Sequence, residues 1–476
     1  MIGDGADHYS PQLRTALVLT GTGTAGAYHA GVLRALHEAG VKLDIVAGRG
    51  VGVVGALFSA VDGAQRLWDE KGFWRSPAVG SFYSWTPMLQ LAASAVAVAL
   101  VVVAVPLAVA AAGLVVFPID LVLKMAGIGG SSGLASWYVR MLQAAFAPEA
   151  LPTWLPRVVV LVLGLAALTG AVTAWIGSGT RRRFGPLWWR ALPSPLAAAP
   201  VADHCWRVMW DLIRGAAQLK QPPVPELGRR YTEMLSENLG QPGFRELMLV
   251  VHDVDARRDL VFALVAEPRR RELVKRPTTE AADTRRAEVF DLSGVGRDYL
   301  ADAVAGALAV PLATEPREVR FAPDAYWRGE THRLSDRPAS LARLLEELAG
   351  VDVEQAVVVS AAPEPAQAYA LSRPPTDGRS RIGEYLQSSE ASILRDAAAM
   401  AADRLPRLFT IRPVHNPIGP FEFSGGYDDR SDRLQPLVEL MNRGYEDAYH
   451  QFIEPVVGAS GERVGTGRRR RARMET

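Results

Sequence analysis

The chain has 476 residues, enough for two or three domains or for one large domain with an insertion, and enough to bury a sizeable core. Its formal net charge of +1 supplies no global field for nucleic acid, and a single cysteine, Cys205, excludes an internal disulfide and a thiolate metal cage. The first residues, Met1 to Pro11, are polar and lack the apolar core of a signal peptide, so the first strand is expected to stay in the cytoplasm.

Ala16-Leu17-Val18-Leu19 reads as an apolar strand, followed by the turn Gly21-Thr22-Gly23-Thr24-Ala25-Gly26 and a helix over Ala27 to Ala39. Glycines allow positive φ and close backbone approach, and a helix N-terminus offers N–H groups to an anion or oxyanion. A second strand over Leu43 to Ala47 runs into Gly48-Arg49-Gly50-Val51-Gly52 and a helix over Val53 to Ala60. With serine at position 50 this turn would be G-x-S-x-G, the nucleophile elbow of a serine hydrolase. Gly50 has no side-chain oxygen to attack an ester. The spacing Gly21-x-Gly23-x-x-Gly26 also fits a dinucleotide fingerprint, with Asp44 about 18 residues on. A ribose-binding acid should end the second strand, whereas Asp44 begins it.

Two apolar runs follow. Leu89 to Phe117 carries no charge and is long enough to cross a bilayer, with Pro106 expected to kink it. Val158 to Gly177 is close to the minimum spanning length and lies between Arg157 and the Arg181-Arg182-Arg183 cluster. Trp85, Trp137, Trp154, Trp175, Trp188 and Trp189 lie near or between the ends of these runs, as interface residues do. The expected arrangement is a transmembrane helical hairpin over 88–180, with both flanks cytoplasmic because arginine favours that side. The intervening Lys124 to Arg157 segment is expected to lie in the far interface. A literal G-x-S-x-G, Gly129-Gly130-Ser131-Ser132-Gly133, has no strand before it and reads as a linker.

Beyond the hairpin, Trp206 to Leu239 reads as helix broken by Pro222, Pro223 and Pro225. Glu246 to Val254 and Asp259 to Ala266 read as strands around a turn at Asp255 to Arg258. Helices are expected over Arg297 to Leu308 and Leu341 to Leu348, a buried strand over Gln355 to Ser360, and a last helix over Ser431 to Ile453 before an arginine-rich tail. Strands alternating with helices on both sides of the hairpin predict a three-layer α/β domain with a mostly parallel sheet. Its expected parts are 1–80 and 200–430, with 431–476 as a terminal helix and tail. The eight histidines show no metal-ligand spacing, and His29 and His252 read as packing or solvated residues.

A glycine turn followed by an elbow about 25 residues later resembles the patatin-like phospholipase family, over roughly positions 15–75 and 200–365. The resemblance implies that the first loop (Gly21, Gly23, Gly26) is an oxyanion loop, that Gly48 and Gly52 frame the elbow, and that Gly50 occupies the nucleophile position. Three features depart from the family pattern. The nucleophile is Gly50, Ala25 replaces the basic residue of the first loop, and no Asp-Gly-Gly follows. Asp336 is the nearest carboxylate, in a register that reads as wrong by a few residues, and Ser424-Gly425-Gly426 is a second degenerate candidate. The expectation is therefore a membrane-anchored patatin-like pseudo-hydrolase with membrane lipid as its partner. It implies no cofactor, metal or nucleic acid. The open alternatives are an active lipid acyl hydrolase with a non-standard nucleophile, a docking surface for a protein partner, and a dinucleotide-binding protein.

Overall fold

A computed structural model describes residues 9–127, 133–145, 147, 194–275, 287–364 and 377–458, with a few positions between 157 and 168. The chain divides into two compact units. One comprises Met1–Ser84 and Leu196–Thr476, and the other Trp85–Pro195.

The first unit is built on one sheet. β1 (Thr15–Thr20) leads through the first glycine turn into α1 (Ala25–Glu38), and β2 (Ile45–Gly48) leads through the second into α2 (Gly52–Ala60). The remaining strands are β3 (Glu246–Asp253), β4 (Arg258–Leu264), β5 (Val289–Asp291), β6 (Arg317–Arg320), β7 (Thr331–Ser335), β8 (Gln355–Ser360) and β9 (Arg407–Ile411). Their order is β5-β4-β3-β2-β1-β8-β9, with β7 joining the end of β3 and β6 pairing β7. β3, β2, β1, β8 and β9 run parallel, while β4 and β7 lie antiparallel to β3.

Every residue of β1 and β2 is buried, as expected of parallel strands covered on both faces. Alternation sends neighbouring side chains to opposite sides. Leu17, Leu19 and Val46 join the core packed by α1 and α2. Ala16, Val18, Ile45 and Ala47 join the core containing Leu341, Leu344, Leu345 and Leu348 of helix Ser340–Ala349 and Leu394 of helix Gly378–Ala401.

The expected elements are present, with shifted edges. The proline-interrupted region forms helices Ala199–Arg214 and Val224–Asn238. The last helix begins at Leu437, not Ser431, because Arg433–Gln435 pairs with Gly426–Asp428 as a short antiparallel ribbon. Residues 431–458 therefore pack as part of the first unit, with Leu437, Leu440, Met441 and Phe452 in its core. Helix Gly378–Ala401 and strands β5, β6, β7 and β9 carry weak periodicity and were not expected.

In the second unit, helix Pro87–Ala111 runs through Pro106, and the interruption falls at Ala112. The Tyr138 hydroxyl donates to the carbonyls of Val109 and Ala110 there, at 2.5 and 3.0 Å. The next helix, Gly113–Met125, continues past the expected end at Phe117, since Asp120 pairs with Lys124 one turn on at 2.7 Å. Ala108–Met125 is long and apolar enough to cross a membrane and is mostly exposed, with Leu114, Val115, Leu121, Val122 and Met125 uncovered. Asp120 also accepts from the Ala135 N–H, at the start of helix Leu134–Ala145. Most of the second apolar run, the Arg181–Arg183 cluster, Ser131 and the arginine tail lie outside the described residues.

Candidate functional site

Both glycine turns sit at the carboxyl ends of adjacent parallel strands, where open α/β sheets hold ligands. They are laced together by Arg49 N–H donating to Leu19 O at 3.1 Å and Val51 N–H donating to Gly21 O at 2.9 Å. The second turn is as tight as an elbow requires. Gly50 has φ +56°, and a Cβ on Gly52 would stand 2.0 Å from the Leu19 carbonyl oxygen.

A Cβ at Gly50 would lie 2.9 Å from Asp336 Oδ2 and 2.3 Å from the Gly21 carbonyl oxygen. Asp336 therefore stands directly beside the position where a serine would carry its oxygen, and the expected register error is overturned. The reason is β7. It pairs antiparallel with the end of β3, so Asp336, the next residue, is delivered to the same edge as the elbow, where its N–H donates to Ala309 O at 2.7 Å. Ser424 is exposed, unlike buried Gly50, and Gly425 belongs to the turn before the 426–435 ribbon.

The residue the sequence reading passed over is Arg49. Its side chain is 1% exposed, and it fills the site. Nη1 donates to both oxygens of Asp336 at 2.9 and 2.8 Å, Nη2 to Glu390 Oε1 at 2.9 Å, and Nε to Thr20 Oγ1 at 2.7 Å. Glu390, from helix Gly378–Ala401, also accepts from the Thr22 hydroxyl at 2.8 Å. Burial pushes the Asp336 carboxyl above its ordinary range, Arg49 pulls it back, and the Glu390 charge adds to the rise. Burial opposes the Arg49 charge, but Asp336 and Glu390 outweigh it and hold the guanidinium above its usual value. The signal in the sequence was an arginine between two glycines, joining a buried strand to a buried helix. Glu390 offered no local signal.

His29 is buried with Nε2 3.1 Å from Thr20 O, and burial lowers its pKa to about 4, so it packs here as a neutral ring. Tyr83 donates to Leu308 O at 2.8 Å, and burial, then the Asp336 charge, push its phenol up.

The first turn is occupied by the chain itself. Thr24 N–H donates to Pro420 O at 2.9 Å and Thr24 Oγ1 to Gly419 O at 2.9 Å. A Cβ on Gly23 (φ +58°) would stand 1.8 Å from Pro420 O. The N–H groups of Ala25, Gly26 and Ala27 close on Thr22, Gly23 and Thr24 carbonyls. The expected open anion site is thus covered, with Phe421 and Phe423 buried against Tyr83 at ring distances of 5.5 and 5.8 Å.

Asp44 accepts from Thr15 N–H at 2.9 Å and pairs with Lys42 at 3.1 Å, at the amino ends of β1 and β2. That is the end opposite the glycine turn, which removes the ribose-binding role. His252 pairs with Asp259 at 2.8 Å, and His332 pairs with Asp253 at 2.5 Å. Among the described residues no cluster of three or more His, Cys, Asp or Glu is placed to hold a metal ion.

Against known proteins, the patatin-like phospholipase family matches residues 17–332, a span that includes both glycine turns and stops just before Asp336. Patatin-like phospholipase domain-containing protein 6 of mouse, of human and of Pongo abelii is 50% identical to this chain over 52 residues, 11% of this chain. The match spans 4% of the length of those relatives. Among solved structures, VipD from Legionella pneumophila aligns over 94% of this chain and 67% of its own, at 13% identity and a TM-score of 0.29, too low to argue from. The family match covers more than half of the chain and contains the sheet and both turns described above. The chain belongs to the patatin-like phospholipase family.

Proposed function

We propose that this protein is a membrane-anchored patatin-like pseudo-hydrolase, one that holds a lipid acyl group without cleaving it. The observation that carries the reading is the state of position 50. No side-chain oxygen is present there, the neighbouring acid Asp336 is held by buried Arg49, and Gly21 O closes on the place a Cβ would take. A nucleophile needs a base free to take its proton, and here the carboxylate is already bonded twice to a guanidinium.

The exposed apolar stretch Ala108–Met125 supports anchoring through the second unit. With the Arg181–Arg183 cluster that follows the second apolar run, it favours an inner-membrane location with the α/β unit on the cytoplasmic side. Membrane lipid is then the partner within reach, and a docked protein is the alternative one.

One observation favours a second reading, an active acyl hydrolase. The Thr22 hydroxyl lies on Glu390 Oε1 at 2.8 Å, a hydroxyl–carboxylate pair beside the glycine turn. Hydrolysis of a fluorogenic acyl ester and fluorophosphonate labelling, in wild type and Thr22→Ala, separate the two. The proposed reading expects no turnover and no labelling in either. Turnover in wild type that Thr22→Ala abolishes would establish the second.

A further inference from the structure

The segment from Asn416 to Phe423 lies over the glycine turn in the manner of a bound ligand. A carbonyl oxygen, that of Pro420, accepts the Thr24 N–H at the mouth of α1, where the dipole favours a partial negative charge. Immediately after it come two apolar rings, Phe421 and Phe423, both buried, packed on Tyr83 and, for Phe423, also on Phe82 at 5.6 Å. A hydrogen-bonding carbonyl followed by an apolar body is the chemistry of a fatty acyl group. We propose that this strap is a tethered stand-in for such a group. It keeps the site closed, and its release lets a fatty acyl carbonyl or carboxylate take the Thr24 N–H while the acyl chain takes the place of the two rings. The proposal rests on the reading of the site as a lipid-holding one and adds its regulation.

Besides its two bonds to Thr24, the strap is held by three polar contacts to one element. From helix Gly378–Ala401, Arg379 Nη2 donates to Phe421 O, Gln387 Nε2 donates to Ile418 O at 3.3 Å, and Ser380 Oγ lies 3.4 Å from Glu422 Oε1. Glu422 in turn accepts from Gly419 N–H at 2.9 Å, which fixes the strap's own turn. The same helix supplies Glu390 to Arg49. One helix therefore latches the strap over the first turn and neutralises the second. A shift of that helix would loosen both, which makes it the element through which closure is controlled. A strap that competes with its ligand lowers apparent affinity by the fraction of molecules that are open, so loosening the latch raises affinity without any new contact.

The test uses the full-length protein in nanodiscs, with three variants: Arg379→Ala, Gln387→Ala, and the pair Phe421→Ala with Phe423→Ala. Hydrogen exchange of peptides covering residues 416–423 reads strap release, and protection of β1 and β8 shows that the sheet stays folded. Crosslinking by a diazirine-bearing fatty acid, mapped by peptide mass spectrometry, reads occupation of the site. The expected result is faster strap exchange in the latch variants, with crosslinks to residues 15–60 rising about tenfold or more as the open fraction rises. Competition by oleate or by oleoyl lysophosphatidylcholine tells free acid from acyl ester. Released straps without crosslinks to the turn would overturn the acyl assignment. Straps as protected as wild type in both latch variants would overturn the latch. Cleavage of the bound ester would instead sink the pseudo-hydrolase reading and leave strap exchange standing.

Discussion

Arg49 decides the chemistry of the site. A guanidinium with almost no exposure is tolerable only because three partners meet it, and two of them are carboxylates. Removing one side of such a buried network leaves uncompensated charge, so Arg49→Met should cost ~3–5 kcal/mol in denaturant unfolding. Adding Asp336→Asn and Glu390→Gln to that variant should recover most of the loss. His29 gives a second prediction. Unfolded, it binds a proton near pH 6.5, and folded only near about 4. Its contribution to stability is therefore complete above about pH 6.5 and falls by about 1.4 kcal/mol per pH unit as pH drops towards 4. Asp336, raised by burial, takes up its proton first in the folded state and acts with the opposite sign. The difference in unfolding free energy between wild type and His29→Leu across that window isolates the histidine. The missing nucleophile was visible in the sequence, because a residue's identity needs no context. The pairing of Arg49 with Asp336 and Glu390 was not, since its partners lie 287 and 341 residues away.

At the level of elements, β1–turn–α1 and β2–turn–α2 were readable because local rules fix them: short apolar runs, glycines where φ is positive, and a helical period. Gly50→Ser tests how far the elbow has closed. Its Cβ would press on the Gly21 carbonyl at a left-handed φ, so the variant should lose more than ~1 kcal/mol of stability and stay unlabelled by fluorophosphonate. Gly23→Val should open the strap, since its Cβ collides with Pro420 O, and hydrogen exchange across 416–423 should rise with it. Helix Gly378–Ala401 and the strap carry no local mark of their kind. The helix has a weak apolar stripe, and the strap meets the first turn only through the fold, Gly419 and Thr24 being 395 residues apart. The position of Asp336 was misjudged for a related reason: the antiparallel return of β7 against β3 is a tertiary pairing with no local mark.

For the whole molecule, the insertion leaves and rejoins the α/β unit at one place, where Ala197 N–H donates to Ser84 O at 3.0 Å. Replacing Trp85–Pro195 by a short glycine-serine linker should leave a folded α/β unit that no longer sediments with membranes after carbonate extraction, while the full chain stays in the pellet. A full chain released by carbonate would count against anchoring. The central claim is that this family member has lost hydrolysis and is not merely shut. Silence of the closed protein alone would not separate those states, so the strap must be released. Ester turnover and fluorophosphonate labelling should therefore be measured on Arg379→Ala beside wild type, with strap release verified by hydrogen exchange. The account predicts that both remain silent, because Gly50 supplies no oxygen and Arg49 occupies the acid. Turnover that appears on release, with one labelled residue per chain, would contradict it.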